Sequence, residues 1–262
     1  MKNKIIRLFL ICGILFLSIL IVGCRCNPDP YDSIISGDFI YTKFMCEEGY
    51  VKIIGLSEEG QKKETIVFPS IIDGYKVFSL GCSNGTLKRD KQIVITNASK
   101  VYFPGCYVNQ GRVYNVDYEL NQDIKILSVY FGKSDERESG LYPQSSLSSN
   151  SERYKIFRSD LYYQNRIQQV DSEKIYEQRA NVCYYLDEET TYFIDDVDGT
   201  IVNVIPPVPY KEGFEFIGWY KDLEHQDKWN FEEDIVPAKK YNENGEYEFV
   251  ETKIYAGWKE KK

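Results

Sequence analysis

Short runs of apolar residues, broken every few positions by Gly, Pro, Asn or Asp, mark most of this chain. Phe39 to Phe44 alternates loosely, Glu47-Glu48-Gly49 reads as a turn, and Tyr50 to Ile54 follows up to Gly55. This pattern predicts a hairpin. Thr65 to Pro69 predicts a short strand, and Ile71 to Gly81 continues it through Asp73-Gly74, a dipeptide suited to a tight turn. Ile93–Thr96 and Ile124–Leu127 predict further short strands, and Tyr154–Tyr163 one or two more. Ser172–Arg179 predicts a short helix capped by Asp171 or Ser172. From Ala180 the pattern sharpens. Asn181–Leu186, Thr191–Ile194 and Thr200–Val204 predict strands, the last two around Asp198-Gly199. Pro206, Pro207 and Pro209 force an extended crossing, and strand signals resume at Phe214–Tyr220 and Ile254–Trp258. Long amphipathic helical patterns are scarce, so the expected class is mainly β.

Two stretches depart from that rhythm. Residues 133–153, with the run Ser145-Ser146-Leu147-Ser148-Ser149-Asn150-Ser151, bury too little apolar surface to order themselves and predict an exposed insert or linker. At the other extreme, Leu8 to Gly23 is an unbroken uncharged run of 16 residues behind Lys2, Lys4 and Arg7. A basic start, an apolar middle and a small residue before a cut make a secretory signal. The run is shorter than the roughly 20 residues a spanning helix needs. Asn27-Pro28-Asp29-Pro30 follows, where a stop-transfer block of Lys or Arg would stand. Simple secretion and a short uncleaved anchor are the alternatives.

Ile21-Val22-Gly23-Cys24 closes this run, and it resembles a bacterial lipoprotein signal. The resemblance implies that Cys24 becomes the first mature residue, with a diacylglycerol on its sulfur carrying acyl chains such as palmitate. Each buried methylene contributes roughly 0.8 kcal/mol, and stable anchoring takes about two chains, which diacylglycerol supplies. The expected location is the cell membrane, lipid-anchored on its extracytoplasmic face. Residues 24–36, with two prolines, read as a spacer.

Removing 1–23 takes three of the 32 Lys+Arg and none of the 40 Asp+Glu, so the mature chain carries 29 against 40, a net charge of −11. Such a chain repels phosphate backbones, which argues against nucleic acid. Of seven cysteines, Cys12 leaves with the signal and Cys24 carries lipid. Cys26, Cys46, Cys82, Cys106 and Cys183 remain, and spacing leaves their pairing open. No CxxC pair occurs, so neither a redox motif nor a zinc knuckle is indicated.

Two further resemblances follow from quoted residues. A strand ending Ile66-Val67-Phe68-Pro69, then Ile72-Asp73-Gly74-Tyr75 with Val77 and Leu80-Gly81, resembles the start of a BspA-like leucine-rich-repeat array. That implies short strands stacked into a solenoid over residues 37–133, continued by 154–179 beyond the insert at 134–153. Ile66, Ile93 and Ile124 are the expected rung starts, with gaps of 27 and 31 against the 20–29 of such repeats. Farther on, Pro209, Gly213, Phe214, Phe216, Gly218, Trp219 and Tyr220, then Trp229 and Phe231, then Tyr255, Ala256 and Trp258 resemble an internalin-type B repeat, also called the Listeria–Bacteroides repeat. The resemblance spans residues 180–259 and implies a small β-grasp-like module of bacterial surface proteins. All three tryptophans fall inside it. Rings of that size are expected to form its core, with one, such as Tyr220, left as a contact. Gly213 and Gly218 are expected to permit tight turns or close backbone approach.

Catalytic patterns are weak. Gly81-Cys82-Ser83-Asn84-Gly85 fits G-x-S-x-G, but no apolar-faced helix follows, and the chain's one histidine, His225, lies in a distant acidic loop. The same distance separates His225 from Cys82 and Cys106 as a Cys–His pair. Asp195-Asp196-Val197-Asp198-Gly199 invites a calcium reading. Setting Gly199 at loop position 6 puts Ile194 at position 1 and Ile205 at position 12, so both ends fail. Glu188-Glu189 and Glu232-Glu233-Asp234 read as solvated faces. No catalytic residue, metal ligand or cofactor site is therefore expected.

These residues add up to an expectation of a membrane-tethered, non-enzymatic surface protein for adhesion or envelope interaction. Its partners would be membrane lipid through Cys24 and an envelope polysaccharide or a surface or host protein. An extracytoplasmic acid-based hydrolase and a structural surface spacer are the alternatives. Convergent acids in a deep pocket would favour the first, and neither such a pocket nor a tyrosine-lined face would favour the second.

Overall fold

The computed structural model describes residues 33–43, 48–80, 93–95, 97–105, 118–120, 127–132, 154–159 and 175–262. The signal, Cys24, the Gly81–Gly85 motif, the Ser-rich stretch and Cys26, Cys46, Cys82 and Cys106 lie outside them.

The chain starts with a meander. β1 (Ile34–Ser36), β2 (Phe39–Lys43) and β3 (Tyr50–Leu56) pair antiparallel in turn. β1 takes up residues where the sequence predicts spacer. A single helical turn, α1 (Glu58–Gln61), follows, its N-terminus satisfied by Ser57 Oγ, which accepts from Gly60 N at 3.1 Å. β4 (Thr65–Val67) leaves for a second sheet. β5 (Ile71–Ile72) and β6 (Tyr75–Leu80) return as a hairpin, and β6 lies parallel to β3. Its turn is the expected Asp73-Gly74, with φ of 49° and 81°. Positive φ at both positions matches the right-handed twist of the flanking strands.

The second sheet is parallel throughout. β7 (Ile93–Ile95) pairs with β9 (Tyr118–Leu120) apart from it. The sheet itself sets β4, β8 (Lys100–Phe103), β10 (Leu127–Phe131), β11 (Tyr154–Arg158) and β12 (Ile175–Arg179) side by side in chain order. Thr65, Lys100, Ser128, Lys155 and Tyr176 share one row, at spacings of 35, 28, 27 and 21 residues. Two expectations are corrected here. Residues 175–179 form a strand rather than a helix, because pairing with β11 overrides a helix-tolerant composition. Ile93 heads β7 outside this sheet, Lys100–Phe103 supplies the row instead, and Ile124 lies outside the described residues.

Both faces of the parallel sheet are buried, as such sheets require. Ile66, Val101, Phe103 and Val129 point into one core with Val51, Ile53 and Phe68 from the first sheet side. The alternate positions Tyr102, Tyr130 and Phe157 point the other way, into a second core. On that face the rings stack in register, Tyr102 on Tyr130 at 4.2 Å and Tyr130 on Phe157 at 4.4 Å between centroids.

The C-terminal sheet closes over those rings. β13 (Val182–Tyr185), β14 (Thr191–Asp195), β15 (Phe214–Tyr220) and β18 (Thr252–Glu260) take the order β14-β13-β18-β15, with β13 and β18 parallel and the outer pairs antiparallel. A hairpin of β16 (Lys240–Tyr241) and β17 (Tyr247–Glu248) lies in the connection. Phe193 brings its ring 5.4 Å from Tyr102. Trp219, Trp229, Tyr184 and Tyr192 are buried in this core, as expected of the tryptophan-bearing stretch. Gly213 (φ +77°) turns the chain into β15, and Gly218 (φ +140°) sits where the β15–β18 register shifts. Thr200–Val204, expected as a strand, pairs with no strand and runs through bends instead. Val202 is buried along it while Ile201 and Ile205 face solvent.

Candidate functional site

The junction between the parallel sheet and the C-terminal sheet is tied by polar groups as well as rings. Asp195, at the end of β14, is fully buried. One of its carboxylate oxygens accepts from Tyr102 OH at 3.0 Å, Asp196 N at 2.9 Å and Asn203 Nδ2 at 2.8 Å, and the other accepts from Asn203 N at 2.7 Å. A charge taken out of water needs that many donors. Burial and the neighbouring Asp195 charge push the Tyr102 phenol far above its ordinary range, so it stays a donor. Nearby, Ser70 Oγ donates to Val208 O at 2.8 Å, and the Tyr192 hydroxyl lies 3.1 Å from Ser70 Oγ and 3.0 Å from Pro207 O. Backbone meets backbone where Gly105 N donates to Tyr192 O at 2.5 Å, beside Gly132.

A second buried group joins β12 to β18. Arg179 donates to Glu251 at 2.8 Å and lies 3.9 Å over the Phe249 ring, and the Tyr185 hydroxyl donates to the other Glu251 oxygen. Cys183 is fully buried among them as a free thiol, and burial together with the Glu251 charge holds it protonated. A protonated, enclosed thiol is a poor nucleophile.

Among the described residues, those singled out as chemical candidates are not brought together. His225 sits in the β15–Trp229 loop at φ 57°, half-buried, with its ring 5.1 Å from Tyr220. Tyr220 is itself half-buried and lies over Gly257, where a Cβ would come within 2.3 Å of its ring. In the Asp195–Gly199 stretch, Asp195 is held by Tyr102 and Asn203. Asp196 is held by Lys239 at 2.6 Å, and Asp198 accepts from Lys239 N at 2.7 Å. Those donors occupy both Asp195 oxygens, Asp196 Oδ2 and Asp198 Oδ1, which leaves too few free oxygens for the roughly six to eight a calcium ion takes.

What the sequence reading missed is an exposed apolar strip. The extended segment turns Pro206 and Pro209 inward and presents Ile205 and Val208, 65% and 59% exposed, with Ile201 beside them. Ile235, 64% exposed, is brought near this segment by the hydrogen bond that Val236 N donates to Thr200 O at 2.9 Å. The signal was present as Ile201 and Ile205 on the same alternation, with Asn203 between them. The surrounding unit is acidic: residues 180–262 hold 19 Asp+Glu and 9 Lys, a net −10 out of the −11 of residues 24–262. Four large exposed apolar side chains on neighbouring segments of a charged surface make this the candidate contact region.

The architecture defines a mainly β protein in which a parallel sheet, buried on both faces, shares one core with a C-terminal four-stranded sheet. The chain carries a Listeria-Bacteroides repeat domain, matched over residues 184–242. The match begins within β13 and ends just past β16, so β18, the strand that joins β13 to β15, lies beyond it. No curated protein matches the chain. Among the described residues, no helix is long and apolar enough to cross a membrane.

Proposed function

We propose that this protein is a lipoprotein, held through Cys24 at the outer face of a membrane, that binds an envelope polysaccharide or a surface or host protein without chemical turnover. The observation that carries this reading is the exposure of Ile201, Ile205, Val208 and Ile235 on an acidic unit whose core is shared with the parallel sheet. Binding would bury those side chains at the centre of a contact with a polar rim. The proposal extends to the fold. The parallel sheet is a short solenoid of the leucine-rich type, supported by row spacings of 28, 27 and 21 residues after a first step of 35. The repeat domain is a β-grasp-like cover on its open face.

The test uses the full chain, expressed with its signal and reconstituted in vesicles, against envelope polysaccharides and host matrix proteins. One polymer class should be retained intact, and Ile205→Asp with Val208→Asp should weaken its retention at least tenfold. Release of soluble sugar or peptide fragments would place the protein among hydrolases instead. The tether is tested separately. Native material should lack Met1 and carry acyl mass on Cys24, and Cys24→Ser should release the protein from the membrane fraction. Retention of Met1 without acyl mass refutes the anchor.

A further inference from the structure

Two segments of the C-terminal unit run side by side, one from Asp195 to Thr200 and one from Val236 to Lys240. Val236 N donates to Thr200 O at 2.9 Å, and Lys239 N donates to Asp198 Oδ1 at 2.7 Å. Between these ties, Gly199 backs onto Ala238, whose Cβ lies 3.2 Å from where a glycine Cβ would be. The Lys239 backbone is thereby fixed, and its side chain runs inward to place Nζ 2.6 Å from Asp196 Oδ2. Both side chains are about nine-tenths buried, 11% exposed for the lysine and 10% for the aspartate. The Tyr247 ring lies 5.6 Å from the nitrogen, and the Gln178 amide nitrogen lies 3.5 Å from the same oxygen. The other Asp196 oxygen, Oδ1, is buried and takes no hydrogen bond among the described residues.

As an ion pair this arrangement is poor. Removing both charges from water costs several kcal/mol per ion, which the pair recovers only when the remaining oxygen is also satisfied. Burial, with the adjacent Asp195 charge, outweighs Lys239 and raises the Asp196 carboxyl above its ordinary range. The form of the pair that can react is the one with the proton on the carboxylate, a neutral amine against a neutral carboxyl, reached by proton transfer along the 2.6 Å contact. In that form a desolvated amine is a nucleophile, and the fixed backbone around Lys239 holds it beside the Asp196 carboxyl, the condition for a large effective molarity.

We infer that Lys239 and Asp196 are joined by an amide cross-link that the folded protein forms on itself. The Lys239 Nζ lone pair adds to Asp196 Cγ. A C–N bond forms and one C–O bond breaks. The departing oxygen leaves as water, taking one proton from the carboxyl and one from the amine. The ion pair becomes an amide and one water with no change of oxidation state and no co-reactant. The link closes the chain between residues 196 and 239, and it replaces a buried ion pair with a neutral amide that keeps one carboxyl oxygen.

The test is peptide mass analysis of the full chain after denaturation and trypsin. Acylated Lys239 resists cleavage. The expected product is therefore peptide 180–211 joined to peptide 229–240, at a mass about 18 Da below their sum. Lys239→Arg and Asp196→Ala should each return separate peptides at sequence mass, with cleavage after residue 239 in the arginine variant. Separate 180–211 and 229–239 peptides from the parent chain overturn the inference. So does a loss of water confined to peptide 180–211, because Asp198-Gly199 can lose water alone as a cyclic imide. The parent chain decides the matter by itself, so a variant that fails to fold leaves the test intact.

Discussion

Gly132 follows β10 at the point where the parallel sheet meets β14, and it is buried. A Cβ there would sit 2.1 Å from Tyr192 O, 2.7 Å from Tyr192 C and 2.8 Å from Gly105 N. All three are backbone atoms, so no rotamer change relieves them. Ordinary contact begins near 3.4 Å, so Gly132→Ala must push the Tyr192 carbonyl back by more than an ångström. Tyr192 O is also the acceptor for Gly105 N. Overpacking of this kind costs about 1–3 kcal/mol, and a weakened buried hydrogen bond adds about 1 kcal/mol. The expected destabilisation is about 2–4 kcal/mol, a fall in Tm of roughly 4–16 °C for a chain of this size. Thermal unfolding followed by near-ultraviolet circular dichroism reports on the rings beside this contact. Gly245→Ala is a control, because its Cβ would meet nothing within 4 Å and only a positive φ opposes it. A Gly132→Ala melt within a degree of the parent would refute the close docking of the two sheets.

Three further outcomes follow from other contacts. Tyr130→Leu breaks the stacks with Tyr102 and Phe157. At about 0.5–1.5 kcal/mol per ring pair it should lower urea stability by about 1–3 kcal/mol, while Tyr130→Phe keeps most of it. Gly74→Ala puts a side chain at φ 81° in the β5–β6 turn and should cost about 1–2 kcal/mol by the same assay. Burial would raise the Asp187 carboxyl, but N–H groups of Glu189 and Thr190 at 3.0 and 2.7 Å outweigh it and leave the pKa below 3.8. A lowered folded pKa contributes stability above the unfolded value, and that stability is lost as pH falls through the folded value. The urea midpoints of parent and Asp187→Ala should therefore differ at neutral pH and converge as pH falls through the lowered folded pKa of Asp187. A constant difference across that range would exclude the carboxylate as the cause.

The C-terminal unit was legible because its signals are local. Gly213 and Gly218 mark a turn and a register shift, and Trp219 and Trp229 are too large to leave exposed. The Asp73-Gly74 turn was legible for the same reason. The parallel sheet was not, because each of its strands pairs with residues 21 to 35 positions away. Lys100–Phe103 buries three residues in succession and so shows no alternation. In Ile175–Arg179, Glu177 and Gln178 suit a helix as well as a strand, and the decision is made by β11. The Ile205–Val208 strip was hidden by its prolines. They announced an extended crossing and said nothing about which side chains it would turn outward.

The hydroxyl of Ser70 finds its acceptor on Val208, 138 residues later. A nascent chain that has reached Phe157 has made its stack of rings and nothing to lay over it. Until Tyr192, Phe193 and Trp219 emerge, Tyr102, Tyr130 and Phe157 remain wet. Chains cut short before residue 208 should thus be sticky and quickly degraded, and maturation of the early strands must wait until residues 182–219 have been made.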